Sequence, residues 1–255
     1  MITIKRQMLL VTALLQFLAP LLPGLGVGTP LSVRAVGNGV PPELPLGIFF
    51  SIWGVIFTAY LGFAVLANLK PGFVSDRLAA PLVLVGAGNV IWMVSAQSVG
   101  SPWLDFVLLL PILLFAWEAA YRLDVIGGFD GTGRRLLTCL LVGLLAGWLA
   151  VAVSISVPDV VRTLLGRGPS DHVWHSLWLA LVPAAGLAWL FASRVSRSVW
   201  FFVALSWGLV GIMANNWWRT ETHALAIAAF VLGWIIIGRR LRYGASGALA
   251  PYNKP

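Results

Sequence analysis

Continuous apolar runs, each about 17 to 24 residues long, recur along the chain and limit its fold more than any other feature. An α-helix of that length crosses the hydrocarbon core of a bilayer, about 30 Å thick, with its backbone hydrogen bonds made inside the helix. A membrane β-barrel would instead show short segments of alternating polarity separated by turns. With 59% hydrophobic and 10% charged residues, the chain is far more apolar than soluble domains. We therefore predict an all-α polytopic membrane protein.

The apolar runs predict eight transmembrane helices. They cover residues 7–27, 45–68, 79–98, 103–123, 136–157, 174–193, 199–215 and 222–238. The first run follows Lys5 and Arg6, as the apolar part of a signal peptide would, but it contains Pro20 and Pro23 and no clear cleavage site follows it. We expect it to be retained as the first span.

Basic residues predict the orientation of the spans. Of the 17 Lys and Arg residues, 13 fall in one set of alternating loops, and the other set holds Arg34, Arg162, Arg167 and Arg219. Because loops rich in Lys and Arg stay in the cytoplasm, we expect both termini there. The basic residues are scattered over short loops, so the net charge of +8 does not indicate a nucleic-acid partner.

The second run carries a stripe of aromatic residues. Phe50, Trp53, Phe57 and Tyr60 are spaced three, four and three residues apart, so a helix places them along one face. Such a stripe either packs against neighbouring helices or forms a wall on which a flat ligand stacks. The spacing taken alone favours packing.

Four tryptophans on four different spans are predicted to lie at one depth. At 1.5 Å per helical residue, Trp53, Trp92, Trp148 and Trp207 lie roughly 9 to 14 Å below the outer surface. Trp189 lies nearer the cytoplasmic side. The four form either a ring around a pocket that opens outward or a layer of helix packing, and the sequence does not distinguish the two.

The segment PLGIFFSIWGVIF, residues 45–57, carries a family resemblance. It resembles the second-helix signature of the translocator-protein or tryptophan-rich sensory protein family (TspO/MBR). The form closest to it, P-x-G-x-x-F-S-I-W-G-x-I-Y, belongs to the longer bacterial branch of that family. Phe57 stands in place of the final tyrosine.

Two later spans add to this resemblance. On the third span, Asn89 and Trp92 are similar to the family's N-x-x-W, and on the fifth, Trp148 and Ala152 are similar to its W-x-x-x-A. Ser156 stands where the family usually has asparagine. Because Phe57 lacks a hydroxyl and Ser156 is shorter than asparagine, the polar part of a family-like site is expected to differ in this chain.

The resemblance implies how the chain is organised. A TspO-like five-helix transmembrane bundle is expected over residues 1–157, a three-helix transmembrane extension over 158–240, and a cytoplasmic tail over 241–255. It also implies a multi-pass protein of the bacterial cytoplasmic (inner) membrane.

The resemblance further implies a function. Proteins of this family bind porphyrins, haem and other flat hydrophobic molecules among the first five helices, beneath the loop between helices one and two. In this chain that loop is rich in Gly and Pro, as suits a mobile lid. The expected protein is thus a binding or sensory protein for a planar hydrophobic ligand such as a porphyrin or another haem-like tetrapyrrole, with no other cofactor implied. The candidate ligand-binding residues are Gly47, Phe50, Trp53, Phe57, Asn89, Trp92, Trp148, Ala152 and Arg34, the last as a partner for a ligand carboxylate.

Three histidines are weak candidates for a metal site. His172 and His175 are one helical turn apart and His223 begins the eighth span, so the three could meet if those span ends are adjacent. The sequence lacks a full metal-binding signature such as H-E-x-x-H, and histidines are also tolerated at a wet interface. No catalytic residues are predicted, and a metal-dependent membrane enzyme stays a minor alternative.

Glu118 is the deepest acidic residue in a predicted span. An acid inside a membrane is a functional candidate by default. Arg122 follows four residues later and faces the same side of a helix, so we favour a structural ion pair.

Other classes of function stay open at this stage. They are a transporter of a small hydrophobic molecule, for which no inverted repeat is recognised, and a structural subunit of a larger membrane complex. The expected partners are the lipid bilayer and a small hydrophobic ligand, with a homodimer or another membrane protein as further alternatives.

Overall fold

The computed structural model describes residues 2–34, 39–70, 72–126 and 131–242. Within these ranges the chain is helical and contains no strand, so the all-α prediction is confirmed. The α-helices are α1 (Ile2–Leu18), α2 (Leu31–Arg34), α3 (Ile52–Leu69), α4 (Asp76–Ser98), α5 (Pro102–Ile126), α6 (Thr132–Leu165), α7 (Val173–Leu190), α8 (Val199–Trp218) and α9 (His223–Arg242). A 3₁₀ segment, Ala19–Leu25, extends α1, another, Gly47–Ser51, precedes α3, and the π-helical Phe191–Val195 extends α7.

Seven helical segments are long and apolar enough to cross a membrane. They are Ile4–Leu25, Gly47–Leu69, Asp76–Ser98, Pro102–Ile126, Thr132–Leu165, Val173–Val195 and Val199–Trp218. These segments correspond to the first seven predicted spans, and the chain is a multi-pass membrane protein. An eighth, shorter apolar stretch covers His223–Ile235 of α9, so the count of eight spans stays a prediction.

Two predicted boundaries need correction. The fifth span was expected over 136–157, but α6 runs from Thr132 to Leu165 and ends at Gly166, whose φ of 61° is left-handed. The apolar run stops near Asp159, whereas the backbone continues as helix for nearly two more turns. The second span begins with a 3₁₀ turn that carries Phe50, and α3 itself begins at Ile52.

Five helices pack into a closed ring. Helix α1 packs against α3 and α4, α4 against α5, α5 against α6, and α6 against α3. Helix α6 also packs against α7 and α8, and α8 packs against α9. Helix α6 is therefore shared between the ring and the three helices that follow it. The expected domain division at residue 157 falls within this helix and stays a prediction.

A glycine allows α6 to approach α8 closely. A Cβ atom added at Gly147 would lie 2.3 Å from the carbonyl oxygen of Phe201 and 2.9 Å from the Cβ of Ala204. Small residues commonly permit such backbone approach between membrane helices. The contact helps to make α6 the most buried of the apolar segments, with 83% of its most apolar window buried.

Buried polar contacts join α1, α3 and α4 inside the ring. The Tyr60 hydroxyl donates to the carbonyl oxygen of Leu82 at 2.7 Å and lies 3.1 Å from the Thr12 hydroxyl. Gln97 donates from Nε2 to the carbonyl oxygen of Ala19 at 3.0 Å. Since no water in the bilayer core competes for these groups, each contact ties two helices together.

The ion pair predicted on α5 is confirmed. Arg122 donates from Nε to Oε1 of Glu118 at 2.6 Å, and both side chains are more than a third exposed. Arg122 also donates from Nη1 to the carbonyl oxygen of Arg77 at 2.7 Å. The pair therefore helps to join α4 and α5.

Candidate functional site

Five aromatic side chains meet inside the helix ring and are here called the aromatic cluster: Phe50, Trp53, Phe57, Trp92 and Trp148. Trp53 is at its centre, with its ring centroid 5.2 Å from that of Phe57, 6.1 Å from that of Trp92 and 6.4 Å from that of Trp148. The ring of Phe50 meets that of Trp148 edge to face at 5.8 Å. These separations are those of favourable aromatic pairs. The contacts between Trp53 and Trp92 join α3 to α4, which are not neighbours in the ring, and so cross its interior.

Burial is uneven within the aromatic cluster. Trp148 is 1% exposed and Phe57 is 5% exposed. Phe50, Trp53 and Trp92 are only half-buried. The aromatic side-chain surface available to another molecule therefore belongs mainly to Phe50, Trp53 and Trp92. Trp148 and Phe57 are buried and pack against them.

Hydrogen-bonding groups without partners lie among these rings. The indole N–H groups of Trp92 and Trp148 are buried with no partner, as is Oδ1 of Asn89. Asn89 is fully buried and donates from Nδ2 to Oε1 of Gln16 at 3.1 Å, while Gln16 donates from Nε2 to the carbonyl oxygen of Thr12 at 3.2 Å. A buried donor or acceptor left unpaired costs about 1–3 kcal/mol. Trp92 and Trp148 therefore carry unpaired donors within the aromatic cluster, and Asn89, one turn before Trp92 on α4, carries an unpaired acceptor.

The remaining predicted site residues lie around the aromatic cluster. Ala152 is half-buried and lies one turn after Trp148 on α6. Gly47 is exposed, and an added Cβ would meet nothing within 4 Å, so the local packing does not require glycine there. Arg34 ends α2, and its side chain lies outside the described part of the chain.

Trp207 is not part of the aromatic cluster. It is 40% exposed, its ring centroid lies 4.7 Å from that of Phe49, and its Nε1 donates to the Phe49 carbonyl oxygen at 2.8 Å. The expected group of four tryptophans is therefore three tryptophans inside the ring and one at its side. Trp189 is 55% exposed, in keeping with its separate depth.

The loop that follows α1 is fixed to the end of α4. The backbone N–H of Thr29 donates to the carbonyl oxygen of Gln97 at 2.8 Å. Gly28 has a φ of 80°, and an added Cβ would lie 2.4 Å from the same oxygen, so only glycine permits this approach.

Residues 39–51, here called the strap, bind the chain to α8. The carbonyl oxygens of Pro41 and Pro42 accept hydrogen bonds from Nδ2 of Asn215 at 3.2 Å and Nδ2 of Asn216 at 2.6 Å. The N–H of Leu46 donates to the carbonyl oxygen of Gly211 at 2.9 Å. The loop was expected to be a mobile lid, but this part of it is held in place by hydrogen bonds.

A buried ionic cluster also holds the strap. Arg162 on α6 donates from Nη1 to Oε1 of Glu43 at 2.6 Å, and both side chains are less than 9% exposed. Ser176 on α7 donates to Oε2 of Glu43 at 3.1 Å and also contacts Arg162. Burial raises the pKa of Glu43, and the positive charge of Arg162 opposes that shift without cancelling it.

The three histidines do not meet. The rings of His172 and His175 touch, with centroids 5.6 Å apart, whereas His223 lies against Trp217 at 4.5 Å. No group of three or more His, Cys, Asp or Glu side chains suited to a metal ion is found within the described ranges.

A small apolar cavity lies between α6, α7 and α8, away from the aromatic cluster. Val151, Ala180 and Leu205 are among the residues that line it. Its volume of about 10 Å³ is the space of about one water molecule, which is too little for a flat ligand.

Sequence reasoning missed Gln16 and Arg162. Gln16 is a fully buried polar residue within the first apolar run, and its presence in a span is itself a signal. Arg162 was assigned to a loop because the apolar run ends before it, although it lies on α6. Its pairing with Glu43, distant in sequence, left no local pattern.

The membrane-spanning helices define the class of protein. It is a polytopic helical membrane protein whose aromatic cluster lies within a ring of five helices. The sequence profile of the family described as TSPO-like protein matches residues 8–240, which include α7, α8 and most of α9. The chain therefore belongs to the TSPO-like family, as the resemblance of its second span predicted. Comparisons with curated proteins and with solved structures found no match.

Proposed function

We propose that this protein binds a planar hydrophobic molecule at the aromatic cluster, and that porphyrins or related tetrapyrroles are the ligand class. The observation that carries the proposal is the meeting of Trp53, Trp92 and Trp148 from three helices, with two indole N–H groups and the Asn89 carbonyl oxygen unpaired. Buried indole N–H groups of Trp117 and Trp200 elsewhere in the protein also have no partner, so the support comes from three unpaired groups together with the half-exposed rings of one cluster.

The ligand lies against the half-buried surfaces of Phe50, Trp53 and Trp92. Each aromatic pair contributes about 0.5–1.5 kcal/mol beyond area burial. A hydrophobic ligand dissolved in lipid gains little from leaving water, because the bilayer already shields it. Stacking and the unpaired polar groups therefore carry most of the selectivity for the site over the surrounding lipid.

The aromatic cluster fits a tetrapyrrole held by stacking and hydrogen bonds. A carboxylate or ring nitrogen of the ligand would accept from the Trp92 or Trp148 N–H, and a ligand N–H would donate to Asn89. The aromatic cluster contains no histidine, so the proposed binding relies on stacking and hydrogen bonds and not on an imidazole ligand to a metal ion. Metal-free protoporphyrin and haem are accordingly expected to bind with similar affinity.

Titration with metal-free protoporphyrin tests the proposal. The purified protein in detergent is expected to bind it saturably, with a shift of the porphyrin absorbance band and quenching of Trp emission. Trp53→Ala removes the central ring and is expected to raise Kd at least about tenfold, the equivalent of 1.4 kcal/mol. Trp189→Ala is the matched control, because Trp189 is 55% exposed and away from the cluster. Equal affinities for wild type and Trp53→Ala would refute the site.

We further propose that the protein lies in a bacterial cytoplasmic membrane with both termini in the cytoplasm. The unequal distribution of Lys and Arg between alternating loops supports this orientation. Cysteines placed at exposed Ser170 and at exposed Gly133, in a Cys139→Ser background, are expected to react with an impermeant thiol reagent added to intact cells at 170 only. Labelling at 133 only would reverse the orientation.

A further inference from the structure

We propose that α6, α7 and α8 together position the aromatic cluster through the strap, with Arg162 and Ser176 acting through the strap on Phe50. The inference rests on the proposed function and adds to it a role for α7 and α8. It starts from the buried contact of Glu43 with Arg162 and Ser176, which joins the strap to α6 and α7.

The strap binds three helices of the bundle at separate points. Glu43 binds Arg162 and Ser176, the carbonyl oxygens of Pro41 and Pro42 bind α8, and Leu46 binds the α8 backbone at Gly211. Directly after these contacts comes the 3₁₀ turn Gly47–Ser51, which carries Phe50. The position of this turn therefore depends on α6 and on two helices, α7 and α8, that lie outside the ring.

Helix α6 meets the strap at two points, Arg162 and Trp148. Arg162 follows Trp148 by 14 residues, a rise of about 21 Å along α6. Along the strap, Phe50 follows Glu43 by seven residues, and the first of these, Leu44, closes a turn by donating its N–H to the carbonyl oxygen of Pro41 at 3.2 Å. Because Glu43 binds Arg162 and Phe50 contacts Trp148, a displacement of Glu43 is transmitted to the aromatic cluster.

The energetics favour positioning over stability as the role of this contact. Taking a carboxylate and a guanidinium out of water costs about as much as their attraction returns, so a buried pair adds little net stability. What it does provide is a fixed geometry, since Glu43 accepts from Arg162 and Ser176 with different oxygens.

A close steric contact at Gly211 on α8 also fixes the strap, independently of charge. A Cβ added at Gly211 would lie 2.8 Å from Cβ of Pro45 and 2.9 Å from Cγ of Phe49. Gly211→Ala therefore pushes the strap away from α8 without changing any of the side chains that contact Glu43. Gly186→Ala on α7 is its matched control, because an added Cβ there meets nothing within 4 Å.

The test compares four variants: Arg162→Met, Glu43→Gln, the double variant Arg162→Met/Glu43→Gln, and Gly211→Ala. Arg167→Met is the control, because it removes one exposed Arg near the same helix end. Hydrogen exchange of the peptide covering residues 44–52 reports the strap without any ligand. Kd for metal-free protoporphyrin reports the aromatic cluster. Arg162→Met and Gly211→Ala are expected to speed exchange and to raise Kd about tenfold or more, as expected when a partner of a buried charged pair is lost or a contact is overpacked.

The outcomes separate this inference from the proposed function. Unchanged exchange of residues 44–52 in Arg162→Met and Gly211→Ala would overturn the inference whether or not porphyrin binds. If Trp53→Ala weakens porphyrin binding but Arg162→Met and Gly211→Ala speed exchange without changing Kd, the strap does not position the aromatic cluster and the inference is overturned. If the wild type binds no porphyrin, the proposed function fails, and the exchange results alone decide whether α6, α7 and α8 hold the strap. Should Arg162→Met fail to fold, Ser176→Ala and Gly211→Ala provide the same two readouts.

Discussion

Replacing Asn89 by leucine is predicted to separate stability from ligand binding. Asn89 is fully buried, pairs through Nδ2 with Gln16 and leaves Oδ1 without a partner. Asn89→Leu removes that unpaired oxygen but leaves Oε1 of Gln16 unpaired instead. The number of unpaired buried acceptors is then unchanged, and the variant loses one hydrogen bond worth about 0.5–1.5 kcal/mol while gaining apolar contact. We expect its free energy of unfolding to stay within about 1 kcal/mol of wild type.

The reciprocal change is predicted to have a larger effect on stability. Gln16→Leu leaves both the Nδ2 and Oδ1 groups of Asn89 unpaired in an apolar interior, at a cost of about 1–3 kcal/mol. The double variant Asn89→Leu/Gln16→Leu removes both amides and is expected to recover most of that loss, since replacing both partners by apolar groups is close to neutral.

For protoporphyrin binding, Asn89→Leu is predicted to have the larger effect and Gln16→Leu the smaller one, the reverse of their effects on stability. Asn89→Leu removes the unpaired acceptor and is expected to raise Kd about three- to tenfold, the loss of one hydrogen bond. Gln16→Leu keeps that acceptor and is expected to change Kd less. Unfolding in detergent, followed by circular dichroism, and porphyrin titration measure the two quantities. A loss of more than about 2 kcal/mol in Asn89→Leu with unchanged Kd would show that Asn89 is purely structural.

Three further predictions concern packing and charge. Gly147→Ala is expected to destabilise the protein by about 1–3 kcal/mol or more in thermal unfolding, because its Cβ would collide with the Phe201 carbonyl, whereas Gly186→Ala has no such effect. Arg122→Gln is expected to cost under about 1 kcal/mol for its half-exposed ion pair, and a larger loss would mean that its bond to the α4 backbone dominates. Because burial raises the pKa of Glu43 above its ordinary value, Glu43 takes up a proton more readily in the folded chain than in the unfolded chain as the pH falls. Wild type is thus expected to gain thermal stability relative to Glu43→Gln as pH falls from neutral toward 4.5, and parallel pH profiles would contradict this.

Much of the ring could be predicted from the sequence, because hydropathy and helical periodicity are local signals. Residue spacing alone predicted the stripe of Phe50, Trp53, Phe57 and Tyr60. The structure places the first three in one cluster, whereas the Tyr60 hydroxyl bonds to Leu82 and Thr12 instead. Trp92 and Trp148 were predicted as site residues from their depth in the membrane and from their sequence motifs, and both contact Trp53. Depth alone also selected Trp207, which lies at the side of the ring, because depth along a helix does not report the direction in which a side chain faces.

The strap contacts could not be predicted in the same way. The contact of Glu43 with Ser176 joins residues 133 apart in sequence, and no periodicity connects them. Arg162 was assigned to a loop because the apolar run ends before it. A helix that leaves the hydrocarbon core can, however, continue as helix into the headgroup region, so the end of the apolar run did not mark the end of α6. The loop composition, rich in Gly and Pro, predicted a mobile lid, whereas α6, α7 and α8 supply hydrogen-bond and ionic partners that hold the strap in place.

A structure of the protein with bound metal-free protoporphyrin tests the central claim most directly. The account predicts the macrocycle within the helix ring, in van der Waals contact at about 3.5–4 Å with Phe50, Trp53 and Trp92, and a hydrogen bond to Trp92, Trp148 or Asn89. A macrocycle bound instead at the lipid-facing surface, against exposed rings such as Trp189 or Trp234, with the Trp92 and Trp148 N–H groups still unpaired, would contradict it.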